Sequence, residues 1–178
     1  LNTYIIVEQG DKVLFIDKHA AHERMNFDRM KAEGYDPMSQ TLLAPAVCRL
    51  SPEEHAALTA RLPLLEEFGF AAEDFGGGAL IVRRAPFDVD PGDIEATLTE
   101  IARKLLSTGS ADPAAARDEL LHTMACKAAI KGGWRTSPQE LERMARAVMS
   151  GQVRYCPHGR PVAIELTRGQ LEKQFKRA

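Results

Sequence analysis

Two short stretches carry most of the side chains that could do chemistry. The first is Asp17-Lys18-His19-Ala20-Ala21-His22-Glu23, and the second is Cys156-Pro157-His158-Gly159-Arg160-Pro161. His19 and Glu23 stand at i and i+4, so a helix puts their imidazole and carboxylate on one face. Such a pair can ligate one ion or two adjacent ions. Taken alone it is more often an ordinary surface pair. Asp28 lies roughly 140° round the helix from Glu23 at 3.6 residues per turn. His22 is also off that face, and neither is taken as a ligand. In an extended segment Cys156 and His158, two residues apart, face the same way and can share an ion. Pro157 and Pro161 stiffen that segment, and Gly159 allows close backbone approach. Its plain alternative is a turn with a buried cysteine. Arg160 suits a phosphate or a structural carboxylate. Cys126, on an otherwise apolar helix face, reads alone as a small core residue, and so does Cys48.

The elements that must position these residues follow from the local pattern. Tyr4–Val7 and Val13–Ile16 are β-branched, apolar runs around a Gln9–Lys12 turn, which predicts a hairpin. Their continuous apolar character predicts strands buried on both faces. Asp17 suits the N-cap of a helix from Lys18 to about Glu33, ended by Gly34. Gln40–Leu50 reads as extended, interrupted by Pro45. Ser51-Pro52-Glu53-Glu54 is a capping box for a helix to about Phe68. Two strands, 69–75 and 79–84, flank Gly76-Gly77-Gly78. Asp90-Pro91 starts a helix through Ile94, Leu98, Ile101 and Leu105. Residues 107–111 form a small polar linker. Asp112-Pro113 begins a helix through Leu120, Leu121, Met124 and Ile130, ended by Gly132-Gly133. Ser137 caps the next helix, Val162–Leu166 is a strand, and Thr167 with Gln170 caps a short last helix. Trp134, Tyr155 and Phe175 read as packing residues. The class is α/β with a mixed sheet. Residues 1–37 and 112–178 form one subdomain, and 38–111 form an inserted, smaller αββα lobe.

The 178 residues are 44% hydrophobic and 27% charged, an ordinary globular balance. No apolar run is long enough to span a membrane, and no signal peptide is visible. Leu1 opens directly into a strand-like run, which reads as a piece of a longer protein. Three well-separated cysteines argue against a disulfide framework and for a reducing, cytosolic compartment. The net charge of −2 is unevenly spread. Residues 1–126 hold 12 Lys/Arg against 21 Asp/Glu (−9), and residues 127–178 hold 11 against 4 (+7). The basic end can lean on phosphates, or it can be a solubilising face. The whole is too acidic to bind nucleic acid strongly alone.

Together these residues resemble the C-terminal domain of the bacterial MutL family of DNA mismatch-repair proteins, of the kind with latent endonuclease activity. The family's Asp-Gln-His-Ala, two residues, Glu, four residues, Glu pattern stands here as Asp17-Lys18-His19-Ala20, Glu23 and Asp28. Its Ala-Cys-Arg stands as Ala125-Cys126-Lys127, and its Cys-Pro-His-Gly-Arg-Pro is complete at 156–161. Its Phe-x-Arg is Phe175-Lys176-Arg177. Order and spacing match along the entire chain. Lys18, Asp28 and Lys127 depart from the pattern; Lys127 keeps its charge but loses a planar fork.

The resemblance implies a dimerisation subdomain, an external lobe and a two-zinc-type site from His19, Glu23, Cys126, Cys156 and His158. It implies that Asp17 is needed for nicking, although an N-cap explains that residue equally well. It implies that Gln40, Leu42, Leu43 and Pro45 bind the replication sliding clamp. Zinc is then the structural ion and manganese or magnesium the catalytic one. No ATP site is implied here, since the family's ATPase lies in its N-terminal part. The partners are a second copy, the clamp, duplex DNA held weakly and without sequence preference, and a mismatch-recognition protein reached through the full-length chain. Arg160, Lys173, Lys176 and Arg177 are the candidate contacts to the DNA backbone. A non-catalytic dimerisation and partner-binding module with a structural zinc is the competing reading, and a redox-sensing thiol site is a more distant one.

Overall fold

The computed structural model describes residues 2–108, 112–129 and 135–177. Ile130, the expected Gly132-Gly133 helix stop, Trp134 and residues 109–111 of the expected linker lie outside these. The described elements run β1 (Tyr4–Gln9), β2 (Lys12–Asp17), α1 (Lys18–Glu33), β3 (Ser39–Arg49), α2 (Pro52–Thr59), α3 (Leu62–Glu67), β4 (Ala71–Gly76), β5 (Ala79–Pro86), α4 (Ile94–Ser107), α5 (Pro113–Lys127), α6 (Pro138–Met149), β6 (Ala163–Thr167) and α7 (Arg168–Gln174). This is the α/β class that the pattern predicts. The chain forms two compact units, residues 1–28 with 129–178, and residues 29–128. The piece expected at 38–111 falls within the second.

In the first unit the sheet order is β1-β2-β6. A two-residue turn at Gly10-Asp11 sets the hairpin register, with Ile5 opposite Ile16 and Ile6 opposite Phe15. On the other edge of β2, Phe15 is opposite Ile164. Both pairings are antiparallel, so this sheet is not mixed. The tight turn can only return β2 antiparallel to β1, and β6, reached through a long connection, is antiparallel to β2 by its register.

The strands are covered on one face, not two. Ile5, Val7, Leu14, Ile16 and Ala163 pack with Ala20 and Ala21 of α1, Ala147 of α6, and Val153, Cys156 and Val162. The opposite face carries the cross-strand row Ile6, Phe15, Ile164, with Ile6 61% and Ile164 63% exposed. The continuous apolar run therefore marks a sheet whose second face is apolar yet uncovered within the chain. The short alanines of α1 and α6 let those helices lie close on the covered side.

Helix α1 begins as the sequence predicts. Asp17 Oδ1 accepts from the Ala20 N–H at 3.0 Å, which satisfies a first-turn donor. Gly34 follows its end at φ +87°, the left-handed conformation of a helix stop.

In the second unit the order is β3-β5-β4, again antiparallel. Its core includes Leu58, Leu65, Phe68, Leu80, Val82, Leu98 and Ile101, all fully buried. Ser51 and Glu54 form the expected capping box. The helix it starts is not continuous to Phe68. It stops at Thr59, and α3 starts at Leu62. Pro63 is the cause, since it has no N–H to donate back to the Thr59 carbonyl and its ring crowds that carbonyl. Pro91–Asp93 is a 3-10 turn leading into α4. The register of β3 against β5 slips between Thr41 and Ala46, so Leu42–Pro45 stand off the ladder and Leu43 is fully exposed.

Tyr155 and Phe175 are exposed, against the expectation that they pack. Tyr155 neighbours buried Cys156 in an extended segment, where adjacent side chains point opposite ways. Phe175 follows the last turn of α7, with the Arg177 guanidinium 5.8 Å from its ring centre.

Candidate metal centre

The junction between β2 and α1 is held at three points. The Asp17 N–H donates to the Val162 carbonyl at 2.8 Å, the Lys18 N–H to Thr3 at 3.1 Å, and Asp17 caps the helix. Val162 belongs to the segment carrying the second motif, so the motif is tied to the start of α1 through the backbone. The motif is itself a closed turn. The Cys156 N–H donates to the Arg160 carbonyl at 2.8 Å, and the Gly159 N–H to the Cys156 carbonyl at 2.9 Å. Tyr155 and Pro161 bridge antiparallel around it. Gly159 adopts φ +79°, which this sharp return needs and which a Cβ would oppose.

These ties bring Glu23, Cys156 and His158 together. One ligand atom from each lies within 4.8 Å of the others. Ligands at about 2.0–2.3 Å from one ion are at most about 4.6 Å apart, so the spacing is close to that of a shared ion. His19, one turn before Glu23 on α1, also has a ring nitrogen within 4.8 Å of a Glu23 ligand oxygen. Glu23 is 1% exposed, and among the described residues neither of its carboxylate oxygens accepts a hydrogen bond. His158 Nδ1 lies 3.0 Å from Glu23 Oε1. That contact is an ion pair when the ring is protonated, and it supplies neither Glu23 oxygen with a hydrogen bond. A buried carboxylate without donors is costly. Thiolate, imidazole and carboxylate are together the donor set of a zinc-type ion, and a cation there removes that cost.

Other expected residues sit as follows. Asp17 is half-buried at the end of β2. Cys126 is half-buried on α5, in the second unit. His22, set aside from the ligands, has Nε2 3.6 Å from a Glu140 oxygen, and Asp28 takes Arg24 Nε at 2.9 Å. Cys48 is fully buried, and burial first, then the Glu95 carboxylate, pushes its thiol up to about 11. That is the behaviour of an inert core cysteine. Lys173 lies on α7, with Lys176 and Arg177 beyond its end, all three exposed. Gln40 pairs with Ala85 in β3, while Leu42, Leu43 and Pro45 lie in the slipped stretch.

Two features were not foreseen from the residues. Lys18 is buried at the β2–α1 junction, where an apolar–polar pattern gave no warning. Arg160 is exposed, and it closes the turn by accepting the Cys156 N–H at its carbonyl. Cys156 first, then the Glu23 and Asp17 carboxylates, hold its pKa above the ordinary arginine value.

A family model described as the MutL C terminal dimerisation domain matches residues 1–136 of the 178. The chain belongs to the MutL family. It is 33% identical over 177 residues to a DNA mismatch repair protein MutL of Caldanaerobacter subterraneus subsp. tengcongensis, covering 99% of this chain and 30% of that one. It is 35% identical over 179 residues to a MutL of Syntrophobacter fumaroxidans, covering 99% and 26%. It is 38% identical over 183 residues to a MutL of Acidiphilium cryptum, covering 99% and 31%. The chain thus spans less than a third of the length of these MutL proteins. Among the described residues, no helix is long and apolar enough to cross a membrane.

Proposed function

We propose that this stretch is a metal-dependent endonuclease domain that nicks one strand of duplex DNA in mismatch repair and joins two MutL chains. The observation that carries the nuclease reading is the buried Glu23 carboxylate. It has no hydrogen bond among the described residues and stands beside Cys156 and His158. His19, Glu23, Cys156 and His158 would hold zinc, and the family resemblance adds Cys126 to the candidate ligands. Zinc would stabilise the site, while manganese or magnesium near Asp17 and Glu23 would supply the Lewis acid that activates water and offsets phosphate charge. Asp17 is positioned by its helix cap, where its Oδ1 accepts from the Ala20 N–H. Lys173, Lys176 and Arg177 would meet the DNA backbone. Contacts to phosphates carry no base information, so the nick would be sequence-neutral.

Self-association has its own support, the uncovered apolar row Ile6, Phe15, Ile164, which a second copy would cover. Leu43, held off the β3 ladder, is the natural contact for the sliding clamp, together with Gln40, Leu42 and Pro45. Residues 38–111 would then be the external lobe that meets it. An acidic domain with weak DNA affinity needs such delivery. The mismatch-recognition protein would be reached through the rest of the full-length chain. We place the protein in the bacterial cytoplasm, near the nucleoid during repair, where its three free thiols stay reduced.

A plasmid-nicking assay with manganese tests the nuclease. Wild-type protein should relax supercoiled plasmid, and Asp17→Asn and Glu23→Lys should not. Unchanged nicking by either variant removes its residue from the site. The cap made by Asp17 favours a second reading, in which zinc only braces a dimerisation module. Chelation would then lower the melting temperature with no nicking to lose.

A further inference from the structure

We infer that the metal cluster and the apolar row Ile6, Phe15, Ile164 are energetically coupled through β2 and β6: metal strengthens self-association, and self-association strengthens metal binding. This rests on the metal reading of Glu23, Cys156 and His158 and on that row as the surface a second copy covers. Both sites hang on the same two strands. On β2, Phe15 of the row is followed by Ile16 and Asp17, and the helix carrying His19 and Glu23 starts at the next residue. The Cys156–Arg160 turn leads through Pro161 and Val162 into β6, where Ile164 stands opposite Phe15. The two leads are fastened where they meet. The Asp17 N–H donates to the Val162 carbonyl at 2.8 Å, and the Val162 N–H to the Arg154 carbonyl at 3.0 Å. Cys156 and Val162 pack in one buried cluster with Leu14, Ile16 and Ala163, the inner side of the same sheet.

Strand β6 is the element that both sites bias. It is a five-residue edge strand, paired among the described residues to β2 alone, and its Ile164 is 63% exposed. Elements with so little cover open locally at low cost. Opening here also takes Cys156 and His158 away from the buried Glu23 carboxylate, which accepts no hydrogen bond among the described residues, so water relieves that charge. An ion at the cluster favours the docked strand by holding Cys156 and His158 against α1. A second copy favours the same docked strand by covering Ile164. Two ligands that prefer one state of one element help each other, and by linkage the gain is reciprocal.

The test measures both directions on the 178-residue chain. Sedimentation velocity across a dilution series gives the dimer constant in chelator and in saturating zinc. Competition with a chromophoric chelator gives zinc affinity for wild type above its dimer constant and for the monomeric Ile6→Lys variant, whose substitution leaves β2 and β6 unaltered. Zinc should bind about 5–150-fold more tightly to the dimer, and the dimer should tighten in zinc by the product of the gains at its two clusters. Glu23→Gln should form the same dimer with or without zinc. In the zinc-free Ile6→Lys monomer, amide hydrogen exchange at Ala163–Thr167 should be fast, and zinc should slow it. One dimer constant shared by zinc and chelator would overturn the inference, as would equal zinc affinities in dimer and monomer. So would exchange in β6 that zinc leaves unchanged, or a Glu23→Gln dimer that zinc still tightens. Wild-type protein that binds no zinc removes the metal reading. Wild type that stays monomeric at every concentration, or Ile6→Lys that stays dimeric, removes the dimer face, and the inference falls with either reading.

Discussion

His158 Nδ1 stands 3.0 Å from Glu23 Oε1, beside a carboxylate that accepts no hydrogen bond among the described residues. That juxtaposition makes the first prediction specific. Zinc at a hundredfold excess over its Kd should stabilise wild-type protein by about 2.7 kcal/mol, seen as a raised Tm. Glu23→Gln should lose that rise. In chelator, the same variant should be as stable as wild type or more so, because a buried charge has gone. Differential scanning with and without zinc checks both, and a zinc response retained by Glu23→Gln would exclude Glu23 as a ligand.

The uncovered row of the first sheet gives the second. Ile6→Lys or Ile164→Lys places a charge on a face exposed within the chain, so folding should be nearly unaffected, within about 0.5 kcal/mol. Burial of that charge between two copies should instead drive dissociation. Sedimentation velocity should show dimer for wild type and monomer for either variant. A variant that stays dimeric moves the interface elsewhere.

The cap of α2 gives a pH dependence. The Ser51 backbone N–H, then the Arg103 guanidinium, hold the Glu54 carboxyl below its ordinary 4.5. A carboxyl with a lowered folded-state pKa contributes stability present above the unfolded value. It is lost as pH falls through the folded one. Glu54→Gln should therefore lower stability at neutral pH and flatten its decline below about pH 4.5. Urea midpoints across the acid range read this directly. A variant whose acid decline parallels wild type rules out the linkage.

Gly159 offers a test of backbone alone. A Cβ there meets no heavy atom within 4 Å, but φ is +79°. Gly159→Ala should thus cost about 1 kcal/mol from conformation and not from clash. Gly159→Asn should cost less, because asparagine tolerates the left-handed region. A urea denaturation series in chelator separates the two, and equal costs would point to some other strain.

Local signals in the chain foretold much of this fold. The hairpin, the Asp17 cap, the Gly34 stop and the Ser51 box all depend on residues within a few positions of one another, and each is found where those residues stand. Pro63 shows the limit. Its neighbours are good helix formers, and the break at Ala60-Arg61 follows from one missing N–H. The half-buried nature of β1 and β2 was hidden for a different reason, since an apolar run reads the same whether its second face meets the core or lies open. Within the cluster, residue types pointed to Glu23, Cys156 and His158, but not to the burial of Glu23. That burial comes from packing between parts of the chain more than a hundred positions apart.

The pairing of Phe15 with Ile164 has a consequence for the order in which the protein takes shape on the ribosome. Residues 29–128 are contiguous and can collapse as soon as they emerge. The first unit cannot, since β2 waits for β6, synthesised 149 positions later (164 − 15), to complete its sheet. Until then the hairpin has one edge of β2 open, and Glu23 has no Cys156 or His158 beside it. The cluster is thus assembled only when translation of this stretch is nearly finished, so a prematurely ended chain would lack it.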